Sequence, residues 1–427
     1  MPPRAALEQA TREYLAWAGD PLVTLDAARE KDPDFALAHI FAGVLKLLGG
    51  ERGNSANVQK DLAAAIALEK WLSPSEKLHL AAFGSWASDG IIAATAIWEQ
   101  ILVDNPRDAW ALRFAHDTYF YLGQSAQIRD SIARVLPAWS KDDPLHGFIL
   151  GMHAFGLEET GHYRAAELTG RRAVELNPTD TWAIHAVAHV LEMEGRTVEG
   201  IGWLTDLKPH WLKAASLAVH QWWHLALYLI EHNRIDEVFA IYDDGIRGTK
   251  SGALLDLVDA AALLWRLQLI GVDVGDRWDE LTEQWYGHID DHVLVFNDLH
   301  IGFVAAGKGD DAVSRRLGES VERYIVANTG TNRDISAAVG RNILRAIDAF
   351  ARQDYEQVVD LLLPIRYDFW RVGGSHAQRD VFVQTLIVAS LRSGRGGLAR
   401  ALTAERLALR PGSLWANNFR TQAAALA

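Results

Sequence analysis

Glycine and asparagine residues recur through the middle of this 427-residue chain at a nearly constant spacing. Each one follows a segment whose apolar residues recur at three- and four-residue intervals, which is the pattern of an amphipathic helix. Both residue types tolerate the left-handed backbone conformation that ends many helices. The spacings are 38, 34, 38, 38 and 36 residues, and the positions are Gly123, Gly161, Gly195, Asn233, Gly271 and Gly307. The sequence therefore predicts a regular array of helices.

A second amphipathic helix is predicted after each of these turns. Asp108 and Asp180 stand directly before helical runs and are predicted to cap them, because a carboxylate accepts the unpaired N–H groups of a first turn. The second helices often end at a proline, which disfavours helical backbone in the residue before it. Examples are Asn105-Pro106, Asp143-Pro144 and Asn177-Pro178.

A period of 34–38 residues with two helices per repeat is typical of tetratricopeptide-type arrays. We therefore expect an all-α fold, a right-handed superhelix of helix-turn-helix repeats (an α-solenoid), running as one continuous array over residues 1–427. The first helix of each pair would line the concave face. Polar side chains on consecutive first helices would then converge, which predicts a His/Asp-rich site in the central repeats, about residues 109–307.

Two of the first helices carry histidine pairs, in the segments WAIHAVAHVLEMEG and VHQWWHLALYLIEHN. His185 and His189 form one pair and His220 and His224 the other, and residues four apart lie on one face of a helix. We predict these four imidazoles as metal ligands, with zinc, manganese or iron as the candidate ions. An open coordination position would activate water, although the HExxH motif of zinc proteases is absent.

Further polar and aromatic residues fall on the same series of helices. His116, Asp117, Asp298 and His300 are the candidates for general acid–base catalysis, because histidine titrates near neutral pH and a carboxylate can orient it. Flat aromatic walls with a guanidinium anchor would suit a small aromatic or carboxylate-bearing ligand. The candidate ligand-binding residues are Tyr121, Trp223, Tyr228, Asp259, Arg266 and Asn297.

These residues leave two classes of function open. In the first, a buried His/Asp-rich pocket binds a small molecule, as a metal-assisted hydrolase-type enzyme, as a general acid/base enzyme or as a binding protein. In the second, the chain is a non-catalytic scaffold for a protein or peptide, and its histidines form a structural polar network. The aromatic residues would then simply pack between repeats. Whether the chain is an enzyme stays open at this level.

Composition excludes several other classes. The chain has no cysteine, which removes disulfides, thiolate catalysis and cysteine-ligated zinc. Its net charge of -13 argues against nucleic acid and anionic membranes as partners. Neither phosphate-binding glycine loop motif nor a G-x-S-x-G elbow is present in a suitable context. The first residues lack the apolar core of a secretory signal, so a cytoplasmic location is predicted.

Several longer motifs resemble one known family. They are HDTYFYLG at residues 116–123, GLEETGHY at 156–163, NPTDTWAIHAVAHVLEM at 177–193, HQWWHLALYLIE at 220–231 and FNDLHIG at 296–302. In combination they are similar to the tetratricopeptide repeat protein 38 family, as in a bacterial member. The resemblance extends from about residue 34 to at least residue 307, and the last quarter of the chain matches more loosely. It implies an all-helical superhelix and brings no activity or ligand with it.

Overall fold

The computed structural model describes residues 2–426, and within that range it contains helices and turns but no strand. The predicted all-α class, built from tetratricopeptide-type helix-turn-helix repeats, is confirmed. The chain packs as two compact units. The N-terminal unit comprises Met1–Val187, Pro209–Leu217 and Thr329–Thr331, and the C-terminal unit comprises Ala188–Lys208, Ala218–Asn328 and Asn332–Ala427. One continuous array over the whole chain stays a prediction.

The N-terminal unit is a series of antiparallel helix pairs. Its complete helices are α1 (Pro3–Ala16), α2 (Pro21–Lys31), α3 (Ala36–Leu48), α4 (Ala56–Ala67), α5 (Pro74–Ala87), α6 (Ile91–Asp104), α7 (Ala109–Tyr121), α8 (Ser125–Val135), α9 (His146–Glu159) and α10 (Tyr163–Leu176). Four helices have residues in both units: α11 (Thr181–Met193), α13 (Lys208–Trp211), α14 (Ala215–Glu231) and α20 (Thr331–Ile335).

The C-terminal unit continues the same pattern. Its complete helices are α12 (Thr197–Asp206), α15 (Ile235–Ala240), α16 (Leu254–Leu269), α17 (Arg277–Trp285), α18 (Val295–Lys308), α19 (Asp311–Ala327), α21 (Arg341–Ala351), α22 (Tyr355–Leu362), α23 (His376–Arg392), α24 (Gly396–Leu409) and α25 (Leu414–Ala425). Short π-helical segments occur at Ile241–Ile246 and Ser336–Gly340, and a 3-10 segment occupies Leu363–Val372.

The turn inside each helix pair contains a residue in the left-handed conformation, close after the first helix ends. These residues are Trp17, Gly50, Asp89, Gly123, Gly161, Gly195, Asn233, Gly271, Gly309, Gln353 and Gly394. The prediction for Gly307 was wrong, because α18 continues through it to Lys308 and the left-handed residue is Gly309. Gly307 is small for another reason: a Cβ atom there would lie 2.3 Å from Cε2 of Trp278.

Capping side chains fix where several helices begin. Asp108 accepts a hydrogen bond from the N–H of Ala111 (2.9 Å), and Asp180 accepts one from Ala183 (3.0 Å). Both predicted caps are therefore observed. Ser73 and Glu76 form a reciprocal capping box at the start of α5, which satisfies two of the otherwise unpaired N–H groups there.

Helices α16 and α23 form the centre of the C-terminal unit. Nearly every residue of α16 from Asp256 to Leu269 is buried, and so is almost all of α23 from Ala377 to Ser390. A helix buried all round has no solvated face for charged residues, so those it carries must be paired internally. Among the described residues, no helix is both long enough and apolar enough to cross a membrane.

Candidate functional site

Three of the predicted metal ligands meet inside the C-terminal unit. Helix α14 presents His220 and His224 one turn apart, and His189 of α11 faces them. The rings of His189 and His224 lie 4.5 Å apart between centroids, and those of His220 and His224 lie 4.8 Å apart. One ligand nitrogen from each of the three histidines lies within 4.8 Å of the other two, and all three side chains are buried.

Two of these imidazoles are held in place by hydrogen bonds to buried carboxylates. Nδ1 of His220 donates to Oδ2 of Asp259 on α16 at 2.7 Å, and Nδ1 of His224 donates to Oε2 of Glu192 on α11 at 3.1 Å. Because the carboxylates accept at Nδ1, the lone pair of each ring lies on Nε2. Burial lowers the pKa of His224, although Glu192 opposes the effect, so this imidazole stays neutral at neutral pH.

Glu192 belongs at the same time to a larger buried cluster of ions. Arg410, in the loop before α25, donates to its Oε1 atom at 2.6 Å. Arg406 holds Asp380 with bonds of 3.0 and 2.8 Å, and Arg410 lies 3.6 Å from the same carboxylate. Burial raises the pKa of Glu192, but the charge of Arg410 and the bond from His224 outweigh it and hold the pKa at about 2. The charges of Arg406 and Arg410 likewise lower the pKa of Asp380 against the effect of burial, so both carboxylates are ionised at neutral pH.

A small cavity of about 30 Å³ lies within this cluster. Its walls include Glu192, Tyr228, Arg266, Asp380 and Arg410. A polar cavity of this size holds roughly one or two water molecules. The predicted ligand-binding residues Tyr228 and Arg266 thus border a space for water beside the histidine cluster.

Tyr228 and Arg266 also donate hydrogen bonds to backbone carbonyl groups of the chain. The hydroxyl of Tyr228 donates to the carbonyl of Ala188 at 2.6 Å. The guanidinium of Arg266 donates to the carbonyl oxygens of Ala262 (3.1 Å) and Ala377 (2.7 Å). Burial lowers the pKa of Arg266 to about 10, so the side chain stays charged at neutral pH.

The ring of Trp223 packs against both the guanidinium of Arg266 and the ring of His220. Its ring lies 5.2 Å from the ring of His220 at an interplanar angle of 12°, and the guanidinium carbon of Arg266 lies 5.1 Å from it. The indole is fully buried. Trp223 therefore packs on one face of the His220 ring, while Asp259 is bonded at its edge.

Asp298 and His300 lie on α18 but use different partners. His292 donates from Nδ1 to Oδ2 of Asp298 at 3.2 Å, whereas His300 donates from Nδ1 to the carbonyl oxygen of Phe296 at 2.6 Å. Burial lowers the pKa of His300 to about 3, and it raises the pKa of Asp298. The neighbouring Asn297 is half-buried. Sequence reasoning missed His292 as the partner of Asp298.

The N-terminal unit holds a separate cluster around Arg113 of α7. Its Nε atom donates to Oδ2 of Asp117 at 3.0 Å, and the hydroxyl of Tyr14 donates to the same oxygen at 2.5 Å. The guanidinium carbon lies 4.8 Å from the ring of Trp182 and 5.4 Å from that of Trp17. Arg113 is fully buried, so an aromatic box encloses its charge.

His116 lies one turn along α7 from Arg113 and is also fully buried. Neither of its ring nitrogens has a hydrogen-bond partner among residues 2–426, and neither do the two terminal nitrogens of Arg113. Burial lowers the pKa of His116 well below its ordinary value, and the charge of Arg113 lowers it further. Sequence reasoning missed Arg113, although an arginine within the apolar run AWALRFAH is unusual enough to have indicated it.

The other predicted residues of this unit have structural contacts. The hydroxyl of Tyr121 donates to the carbonyl of Leu48 at 2.6 Å, which ties α7 to the end of α3. His185 is buried, lies one turn before His189 on α11, and stacks on Phe155 with 5.5 Å between ring centroids. Asp117 is bound by Arg113 and Tyr14, and burial raises its pKa.

Comparison with known proteins finds only distant structural similarity. No protein-family model matches the chain. A structure of the human IFIT1 dimer with m7Gppp-AAAA is 14% identical, covers 92% of this chain and 90% of its own, and has a TM-score of 0.40. The crystal structure of the yeast Tom70 is 13% identical, covers 99% and 95%, and has a TM-score of 0.36. Similarity at this level carries no inference about ligands or partners.

Proposed function

We propose that this chain is a helical-repeat scaffold, located in the cytoplasm, that binds a segment of a partner protein. The observation that carries the proposal is a wide groove of about 860 Å³ between α19 and α21 in the C-terminal unit. Peptide recognition by repeat proteins uses grooves of this kind, in which an amphipathic helix buries its apolar stripe. The sequence motifs also support a place in the tetratricopeptide repeat protein 38 family, as a bacterial member.

The floor of the groove is apolar. Val321 and Leu344 form part of its lining, and Val326 at its edge is 84% exposed. Gly318 on α19 faces open space, since a Cβ atom there would meet no other atom within 4 Å. Exposed aliphatic surface beside an open channel is typical of a surface that becomes covered on binding.

The rim of the groove is rich in guanidinium groups. Arg315, Arg323, Arg341 and Arg345 lie along it, together with three acidic residues, of which Glu322 pairs with both Arg341 and Arg345. The lining therefore carries four positive and three negative side chains, a small positive excess on a chain whose net charge is -13. An amphipathic helix with acidic residues beside its apolar stripe is the complementary partner. The same overall charge disfavours nucleic acid.

The contacts of the histidine-rich interior support a scaffold as well. Glu192, Asp380, Arg406 and Arg410 neutralise one another inside the C-terminal unit, and Tyr228 and Arg266 donate to backbone carbonyls. Ions paired in this way stabilise a single arrangement of the helices around them. These pairs support a structural role for the polar residues around the histidines, as the scaffold hypothesis proposes.

Selection of peptides from a random display library on the immobilised protein tests the proposal. Enriched sequences should be amphipathic helices with acidic flanks, and their affinity is measured by fluorescence anisotropy with the synthetic peptides. Gly318→Trp fills the groove and should weaken binding by about tenfold or more.

The matched control for this experiment is Gly202→Trp on α12, where an added side chain also meets open space. It should leave peptide affinity unchanged. Enriched peptides that bind the Gly318→Trp variant as tightly as the unaltered protein would contradict the proposed groove. Tight binding of a labelled oligoadenylate, with no peptide enrichment, would contradict a protein partner altogether.

A second candidate function rests on the Arg113 cluster of the N-terminal unit. Its buried guanidinium has two terminal nitrogens, and His116 two ring nitrogens, that no residue from 2 to 426 satisfies. Leaving such groups unbonded costs about 1–3 kcal/mol each, so a small carboxylate or phosphate would be held strongly there. This candidate keeps His116, Asp117 and Tyr121 near a bound small molecule, as an acid/base site would require.

A thermal-shift screen with acetate, citrate and inorganic phosphate tests this second candidate. A binding anion should raise the melting temperature of the unaltered protein, and the rise should vanish in Arg113→Lys, which keeps the charge but loses the planar pair of donors. Arg107→Lys, at an exposed ion pair with Asp143, is the control. If no anion shifts the melting temperature, the aromatic box around Arg113 is purely structural.

A further inference from the structure

The buried histidine cluster of the C-terminal unit has the arrangement of a metal centre. We propose that His189, His220 and His224 bind a divalent first-row transition metal ion of the zinc class. The three ligand nitrogens come from two facing helices and lie within 4.8 Å of one another. Tetrahedral coordination with metal–nitrogen bonds of about 2.0–2.1 Å separates ligand nitrogens by roughly 3.4 Å. Each ring therefore needs to move by no more than about an ångström.

Two of the three rings also donate a hydrogen bond from Nδ1 to a buried carboxylate. Imidazoles that bind metals almost always donate their other N–H to a carboxylate, carbonyl or water, which fixes the tautomer and strengthens the ligand. His220 donates from Nδ1 to Asp259 and His224 from Nδ1 to Glu192, so Nε2 of each ring is the atom for the metal. Glu192 is itself held by Arg410 at 2.6 Å.

The surroundings of Asp259 point the same way. Arg410 pairs with Glu192, but the only polar partner shown for the fully buried Asp259 is His220, and its Oδ1 atom has no partner among residues 2–426. Asp259 is thus placed to hold the ring of His220 in one orientation, which is the role of a carboxylate bonded to a metal-binding imidazole.

The donor set also selects the class of ion. Three imidazole nitrogens with no thiolate fit zinc, and they accept cobalt, iron or manganese in the same geometry. Magnesium and calcium require oxygen ligands, so they do not fit this set. A fourth coordination position remains for a water molecule.

Metal analysis of the full chain, purified without a histidine tag, tests the centre. The protein should hold about one zinc-class ion per chain by mass spectrometry. Replacement by Co²⁺ should give the intense visible absorption of four-coordinate cobalt bound to nitrogen, which an octahedral or loosely bound ion does not give. Removal of the metal with a chelator should lower the melting temperature, and Zn²⁺ should restore it.

Two variants assign the ion to this cluster. His224→Gln removes a ligand and should abolish stoichiometric binding. Asp259→Asn keeps all three ligands but weakens the acceptor behind His220, and should raise the dissociation constant by about 10–100-fold. His288→Gln alters another histidine–aspartate pair of the same unit, between His288 and Asp291, and should leave metal binding unchanged.

Three outcomes would overturn the proposal. The first is metal far below one equivalent, together with no cobalt spectrum and no effect of added ions on the melting temperature. That result would leave His220 and Asp259 as an internal hydrogen-bonded pair. The second is stoichiometric metal that survives in His224→Gln, which would place the ion elsewhere. The third outcome applies if His224→Gln fails to fold. It is an Asp259→Asn variant that binds cobalt as tightly as the unaltered protein does.

Discussion

Two tyrosine hydroxyl groups inside this chain donate hydrogen bonds to its own backbone. Tyr121 and Tyr228 each donate to a carbonyl oxygen of a neighbouring helix, at Leu48 and Ala188, and both bonds measure 2.6 Å. A buried polar group without a partner is costly, so side chains of this kind fix the distance between two helices. The sequence predicted both tyrosines as aromatic walls of a ligand site, and nothing in it indicated these carbonyl acceptors.

Tyr228→Phe measures one of these bonds directly. Loss of the hydroxyl should lower the free energy of unfolding by about 1–2 kcal/mol in urea titrations, because the ring still packs while the hydrogen bond is lost. Tyr367→Phe is the matched control, since Tyr367 is 72% exposed, and should change the stability by less than about 0.5 kcal/mol. Equal effects of the two substitutions would mean that the bond to Ala188 contributes nothing.

His300 makes the stability depend on pH in a defined direction. Its folded-state pKa is about 3, lowered by burial, whereas an unfolded histidine has a pKa of about 6.5. The unfolded chain therefore binds the proton first, so the stability from neutral His300 is fully present above about pH 6.5 and decreases as the pH falls below it.

His300→Gln should remove this dependence. Between about pH 6.5 and pH 5 the unaltered protein should lose roughly 1–2 kcal/mol of stability relative to the variant, as measured by urea unfolding at each pH. His162→Gln, at an exposed position, should leave the slope of the unaltered protein intact. Parallel pH profiles for the unaltered protein and His300→Gln would show that the imidazole is solvated in the folded state.

At the scale of single helices, the sequence predicted well which helices form and in what order. It predicted the residues at which they end less accurately. The helix periodicity and the caps at Asp108 and Asp180 were correct, because both depend on nearby residues. The end of α18 was wrong by two residues, since Gly307 looked like a terminating glycine and is instead a contact position against Trp278. Only the packing of another helix distinguishes these two roles of a glycine.

Gly307→Ala and Gly318→Ala separate those roles experimentally. Alanine favours a helix over glycine by up to about 1 kcal/mol, so Gly318→Ala on α19, which faces open space, should raise the melting temperature. At Gly307 the added methyl group meets the Trp278 ring, and overpacking should cost about 1–3 kcal/mol. A stabilising effect at both positions would show that the Trp278 ring moves freely.

Contacts of the candidate site were predictable from the sequence only where the two partners are about one repeat apart. His220 and Asp259 are 39 residues apart and His224 and Glu192 are 32 apart, which is close to one repeat, so equivalent helices bring them together. Arg410 lies 218 residues from Glu192. No local pattern indicates a contact over that distance, because it depends on how the whole C-terminal unit closes.

At the largest scale, the end of the chain completes the C-terminal unit. Arg410 reaches Glu192, and the carboxylate of Glu231 accepts bonds from the hydroxyl of Ser413 at 2.9 Å and the N–H of Trp415 at 2.8 Å. The backbones of Gly195 and Gly412 approach so closely that a Cβ atom at Gly195 would lie 2.5 Å from the Cα atom of Gly412. The last helices therefore seal the buried ion cluster from solvent.

Arg410→Met tests this closure. The substitution removes a buried charge and leaves Glu192 and Asp380 with less compensation, so unfolding free energy should fall by about 3–5 kcal/mol. Arg234→Met, at an exposed pair with Glu237, should leave the stability nearly unchanged. In the double variant Glu192→Gln/Arg410→Met the two losses should be less than additive, because each single change leaves the other partner buried and unpaired. Simple additivity would mean that water already reaches the cluster and that the last helices do not close it.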